Sequence, residues 1–139
     1  MYKRQIRFLT RNKIRTRAFI LLRPPYLSES EGIIWAQKSI DFAFSVGVEC
    51  CIVIPVRAGN GAMEKLKDMG QFSPPSIESL EEVLDYGINL NFGRVFADTW
   101  DLKLFSTCDE CIESRIERIT KINLEQRISD SISCSCCNF

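Results

Sequence analysis

The sequence predicts an α/β fold built on an open sheet of about three parallel strands. Three observations predict it. Short apolar segments of strand length alternate with segments of helical periodicity. One of these, residues 49–55 (ECCIVIP), is apolar at consecutive positions and rich in β-branched residues, as a strand covered on both faces requires. The connections are long enough for the right-handed crossovers that parallel neighbours need. Three strands leave two exposed edges, so the sheet reads as part of a larger sheet or barrel.

The elements follow in order. Residues 5–12 carry Ile6, Phe8 and Leu9 among polar residues and predict a short helix. Residues 16–22 (TRAFILL) predict a buried strand stopped by Pro24 and Pro25. Ser28 and Glu31 form a capping box, in which hydroxyl and carboxylate satisfy free backbone N–H groups reciprocally. They open a helix to about Val46, with Ile33, Ile40, Ala43 and Phe44 on one face and Gly47 as its stop. After the strand at 49–55 comes a glycine-bearing loop, 56–61, then a short helix over 62–69. Pro74 and Pro75 stiffen a link. Ser76 caps a helix through Tyr86, and Gly87 is placed to end it. Residues 94–97 (RVFA) predict the third strand. Asp98 and Asp101 flank Trp100 in the polar turn after it, as a base, a metal ligand or helix caps. A charged helix is predicted over 109–128, with Ile112, Ile116, Ile119 and Ile122 near one face and Glu113 and Glu117 paired with arginines one turn on.

Composition narrows the chemistry. The 139 residues suffice for one domain with a real core. Eighteen Lys and Arg balance 18 Asp and Glu, which argues against nucleic-acid binding through a general basic surface. The chain has no histidine, so no Ser-His-Asp triad, Cys-His dyad or His-ligated metal site can form. No segment approaches the roughly 20 apolar residues that cross a bilayer, and none reads as a signal peptide. The expectation is a cytoplasmic protein with no membrane association. The cysteines are odd in number, seven, and clustered, which disfavours a disulfide framework.

Those cysteines carry the strongest chemical signal. Cys108-x-x-Cys111 places two thiolates where one ion can hold both, and a second close pair completes a tetrahedral four-sulfur site. The second pair is Cys134 with either Cys136 or Cys137, and Cys108, Cys111, Cys134 and Cys137 make up the candidate ligand set. Zinc and an iron–sulfur cluster share these ligand types. Cys50 and Cys51 lie mid-strand as core residues. Gly59-Asn60-Gly61 after a strand lets backbone N–H groups approach a ligand, although it is neither a Walker loop nor a dinucleotide fingerprint. Arg23, at the corresponding end of the first strand, can hold a carboxylate or phosphate.

The order of motifs resembles a known family. LLRPPYLSESEGIIWAQKSIDFAFSVGVECCIVIPVRAGNGAMEKL, then GQFSPPSIESLEEVL, RVFADTWDL and the cysteine helix ending KINLEQ are similar to the C-terminal half of radical S-adenosylmethionine (SAM) proteins. The nearest group is the uncharacterised one related to the Elongator catalytic subunit and the archaeosine-synthase branch. The resemblance covers roughly residues 6–137. It implies an incomplete (β/α) barrel of radical SAM type, about its last three strands, over residues 6–105, and a cysteine-bracketed helical extension over 106–139. It also implies that Ile54, Pro55 and Val56, with Arg23 and Asn60, line part of a SAM pocket.

The family's cluster-binding Cys-x₃-Cys-x₂-Cys does not occur here, and the first four barrel strands have no counterpart. The 4Fe–4S cluster and the rest of the SAM site would therefore belong to an intact parent whose N-terminal half is the partner. This chain alone would not turn over SAM, and its substrate is unspecified. Residues 1–5 (MYKRQ) match the translated end of a transposon-derived sequencing adaptor and are expected to be a non-native leader on a truncated frame. The alternatives are a standalone α/β binding module with a structural four-cysteine zinc site and an interaction subunit that completes a barrel with a separate chain.

Overall fold

β1 (Arg17–Leu22), β2 (Cys50–Pro55) and β3 (Arg94–Ala97) pair in parallel in the order β1-β2-β3 in the computed structural model, which describes residues 2–137. Around them lie α1 (Tyr2–Arg11), α2 (Glu29–Ser45), α3 (Ala62–Asp68), α4 (Ile77–Asn89), a single turn of 3₁₀-helix at Leu102–Phe105, and α5 (Ile112–Glu125). The expected leader residues 2–5 lie within α1, and Met1 is outside the described residues.

The period-2 alternation of strands gives the sheet two different faces. Ile20, Leu22, Cys51, Val53, Val95 and Ala97 point to the helices and are buried. α2 packs on β1, and α4 on β2 and β3, closing a core with Ile40, Ile77, Leu80, Val83, Leu84, Ile119 and Ile122. The other face carries Phe19, Ile52 and Phe96 in one register row and Leu21 and Ile54 in the next. Among the described residues no helix covers it, and Phe19 and Leu21 are 66% and 53% exposed.

Local capping positions the helices. The Ser28–Glu31 box opens α2, and Gly47, with φ 97°, turns the chain after it, as a C-terminal glycine does. Ser76 caps α4, its hydroxyl accepting from the Ser79 N–H at 3.2 Å. Glu29 reinforces that cap. Its carboxylate accepts from the Ser76 N–H at 2.8 Å and from the Ser76 and Ser79 hydroxyls, near the positive end of the α4 dipole. Arg23 locks the arrangement by donating to Glu29 and to the Pro74 carbonyl at 2.7 Å.

Three expectations are corrected. Gly87 does not end α4, which runs to Asn89. A β-carbon there would stand 2.9 Å from a Val95 methyl, so the residue is needed for the close approach of α4 to β3. The β3 edge is not open. The Asn123 side-chain amide accepts from the Ala97 N–H and donates to the Ala97 carbonyl, both at 2.9 Å. Gln126 treats Val95 likewise at 3.0 and 2.9 Å. Finally, α5 is shorter than its periodicity predicts. It starts at Ile112, after the turn that holds the first cysteine pair. It stops at Glu125, because Gln126 adopts a left-handed conformation (φ 53°) with its side chain drawn to β3.

Candidate metal centre

The two cysteine pairs reach one place by different routes. The first lies in the turn before α5. The Ser106 hydroxyl accepts from the Cys108 N–H and donates to the Cys108 carbonyl, each at 3.1 Å, which fixes the turn. Cys111 stands at the N-cap of α5. The second pair arrives on the tail. Gln126 reverses the chain, and Arg118 holds the returning segment through the Ser129 and Asp130 carbonyls, both at 2.9 Å. The early end of α5 is what lets the tail come back along the helix.

The sulfurs of Cys108 and Cys134 are 3.8 Å apart, and those of Cys111 and Cys137 are 3.6 Å apart. All four lie within 4.8 Å of one another and can hold a metal ion. Four thiolates at ~2.3 Å from one zinc stand about 3.8 Å apart along the tetrahedron edges. Of the two tail alternatives, the structure puts Cys137 in this group. Cys136 is exposed, with its thiol donating to Glu110 at 3.1 Å, in a smaller group of Glu110, Cys134 and Cys136. The sequence signal for Cys137 is its spacing, since Cys134-x-x-Cys137 repeats Cys108-x-x-Cys111.

Electrostatics favour a thiolate in this cluster. The backbone N–H of Cys111, the Cys137 thiol and the backbone N–H of Glu110 together pull Cys108 from its ordinary value down to about 7. Cys137 moves the opposite way, chiefly because its thiol donates to Cys108. Glu110 pushes Cys136 up. A cavity of about 620 Å³ lies beside Cys108 and Cys137 and is also lined by Glu78 and Glu82.

Behind the cysteines lies an ion-pair cluster that the sequence reading misses. Arg115 and Arg118 are 4% and 5% exposed and enclose Glu81 of α4. Arg115 donates to Glu81 and faces Glu78 at 3.4 Å. Arg118 reaches Glu81 at 3.2 Å and Asp85 at 2.7 Å. Burial pushes the Glu81 carboxyl up while the two guanidiniums pull it down. The expected pairing of Glu113 with an arginine of its own helix gives way to a pair with Lys103. The signal was present as spacing: 115 and 118 share the face of Ile112, Ile119 and Ile122, and 78, 81 and 85 share a face of α4.

The remaining candidates lie elsewhere. Leu22 and Val56 are bonded at neighbouring strand ends, the Val56 N–H donating to the Leu22 carbonyl at 3.1 Å, so Arg23 and residues 54–56 share one end of the sheet. The Arg23 guanidinium is committed to Glu29 and Pro74. Pro55 is buried, and Ile54 and Val56 are half-buried. Asn60 is exposed, its side-chain Oδ1 accepting from the Met63 N–H at 2.9 Å at the start of α3. Asp98 pairs with Arg57 at 2.9 Å and accepts from the Trp100 N–H at 3.1 Å. Cys50 and Cys51 are core residues, and burial, with Cys50 beside it, pushes the Cys51 thiol up to about 12. No helix among the described residues is long and apolar enough to cross a membrane. Comparison with protein-family models, with curated proteins and with solved structures found no match.

Proposed function

We propose that this chain is a metal-binding α/β unit whose C-terminal extension is stapled by one zinc ion on Cys108, Cys111, Cys134 and Cys137. The observation that carries the reading is the approach of all four sulfurs within 4.8 Å. That spacing suits a single ion, since an iron–sulfur cluster sets its cysteines on different irons and spreads their sulfurs. Four thiolates fill a tetrahedral shell and leave no open position, so the ion's role is structural. Metal content of the purified full chain tests this. One zinc per chain is expected, and it is lost in Cys111→Ser. Iron with acid-labile sulfide in place of zinc would overturn the single-ion reading.

A second reading concerns the sheet. The exposed Phe19 and Leu21, with the half-buried Ile52, Ile54 and Phe96 on the same face, favour a unit whose open face belongs inside a larger barrel. On the resemblance to radical SAM proteins, we propose that the unit closes such a barrel. Arg23, Ile54, Pro55, Val56 and Asn60 would then lie toward SAM, and a separate half would supply the 4Fe–4S cluster. The chain alone, reconstituted with iron and sulfide and reduced, should release no 5′-deoxyadenosine from SAM above a protein-free control. Co-expression with a polypeptide carrying Cys-x₃-Cys-x₂-Cys and the preceding strands should restore release. Release by the chain alone, or none from the pair, would overturn this reading.

A further inference from the structure

Arg115 sets a buried guanidinium against a ligand sulfur. Its Nε donates to the Cys111 sulfur at 3.3 Å, and its Nη groups face Glu81 and Glu78. The planar fork lets one edge bind sulfur while the other binds carboxylate, which an ammonium cannot do. Cys111 is also the one buried member of the four.

Four thiolates around a divalent ion carry an excess of two negative charges. In a half-buried site that excess is poorly screened, and a neighbouring cation offsets part of it. Burying the guanidinium is costly by itself, and the sulfur and two carboxylates around it compensate. We propose that Arg115 is a positioning residue of the metal centre. It orients the Cys111 sulfur and offsets part of the charge of the loaded site. The inference rests on the zinc reading above. Arg118 supplies an internal control. It lies three residues on, equally buried, shares Glu81 and anchors the tail, yet donates to carboxylate and carbonyl oxygens and not to sulfur.

The test uses cobalt(II) as a spectroscopic substitute and zinc competition against a chelator, on the full chain. Wild type should show a thiolate-to-cobalt charge-transfer band. Its absence would overturn the zinc reading and this inference together. With the band present, Arg115→Met should shift it and weaken zinc binding about 10–100-fold, the range for lost outer-shell partners. Arg115→Lys should recover part of the affinity through its charge. Arg118→Met should lower thermal stability and, by loosening the tail that carries Cys134 and Cys137, weaken zinc binding as well. The band of the cobalt-saturated chain should keep its position, because no ligand sulfur loses a donor. A band and affinity unchanged in Arg115→Met, or an equal band shift in Arg118→Met, would overturn the positioning role while leaving the zinc reading intact. If Arg115→Met does not fold, Arg115→Lys decides by the same band: a shifted band supports the role and an unshifted one overturns it.

Discussion

The side-chain amide of Asn123 pairs with the backbone of Ala97 through two hydrogen bonds, both 2.9 Å. With Gln126 on Val95, it makes the end of α5 a surrogate for a fourth strand. β3 therefore meets side chains where a neighbouring backbone would lie, and its edge cannot template another chain.

Removing that pairing should be costly. Asn123→Ala would leave the N–H and carbonyl of the buried Ala97 without partners, and each unmade buried bond costs about 1–3 kcal/mol. Denaturant unfolding should show a loss of about 2–6 kcal/mol for the two groups together, and amide exchange at Ala97 should quicken. Unchanged exchange at Ala97 would mean the amide is not what protects the edge.

Metal removal should free the tail before the core. Without the ion, the segment after Gln126 is held mainly by Arg118. Trypsin should then cut after the exposed Arg127 faster in chelator than with zinc bound. Serine at 108, 111, 134 or 137 should mimic the chelator, whereas Cys136→Ser should keep its zinc.

In the metal-free chain, Cys108 should be the most reactive thiol near neutrality. Its alkylation should set in at lower pH than that of an ordinary thiol, because the backbone N–H groups of Cys111 and Glu110 lower it even when the tail is released, and Cys51, at about 12 and fully buried, should stay inert. Peptide mapping after brief alkylation at pH 7.5 distinguishes the two.

Glu29 should contribute to acid stability. Burial raises its carboxyl pKa, but the Ser76 N–H, the Ser79 hydroxyl, Arg23 and the Ser76 hydroxyl outweigh this and hold it below its ordinary 4.5. A carboxyl lowered on folding stabilises fully above its unfolded value and loses that contribution as pH falls through the folded one. Thermal melts from pH 6 to pH 3 should thus fall less steeply for Glu29→Gln than for wild type.

Gly87→Ala should overpack α4 against β3, at about 1–3 kcal/mol. Because the added methyl meets Val95, joining it to Val95→Ala should cost less than the two single changes summed. Additive losses in urea titrations would place the strain elsewhere.

Local chemistry made much of this fold legible in the sequence. Residues 94–97 form a strand at the limits the sequence predicts, and the strands expected at 16–22 and 49–55 form from Arg17 and Cys50, because apolar β-branched runs next to turn residues favour strands locally. The Ser28–Glu31 box and the Gly47 stop are equally local, each needing only residues within one helical turn. The cysteine pairs were legible as spacing. Whether they meet was not, since that depends on where α5 ends, and α5 ends where Gln126 finds Val95, 31 residues away in the chain. The inward turn of Arg115 and Arg118 was decided in the same way. Helical periodicity puts them on the face of Ile119 and Ile122, but only the packing of α4 supplies Glu78, Glu81 and Asp85 to receive them. Sequence determined what pairs within a few residues; tertiary structure decided which polar groups are buried, because a buried charge is tolerated only where a distant partner arrives to meet it.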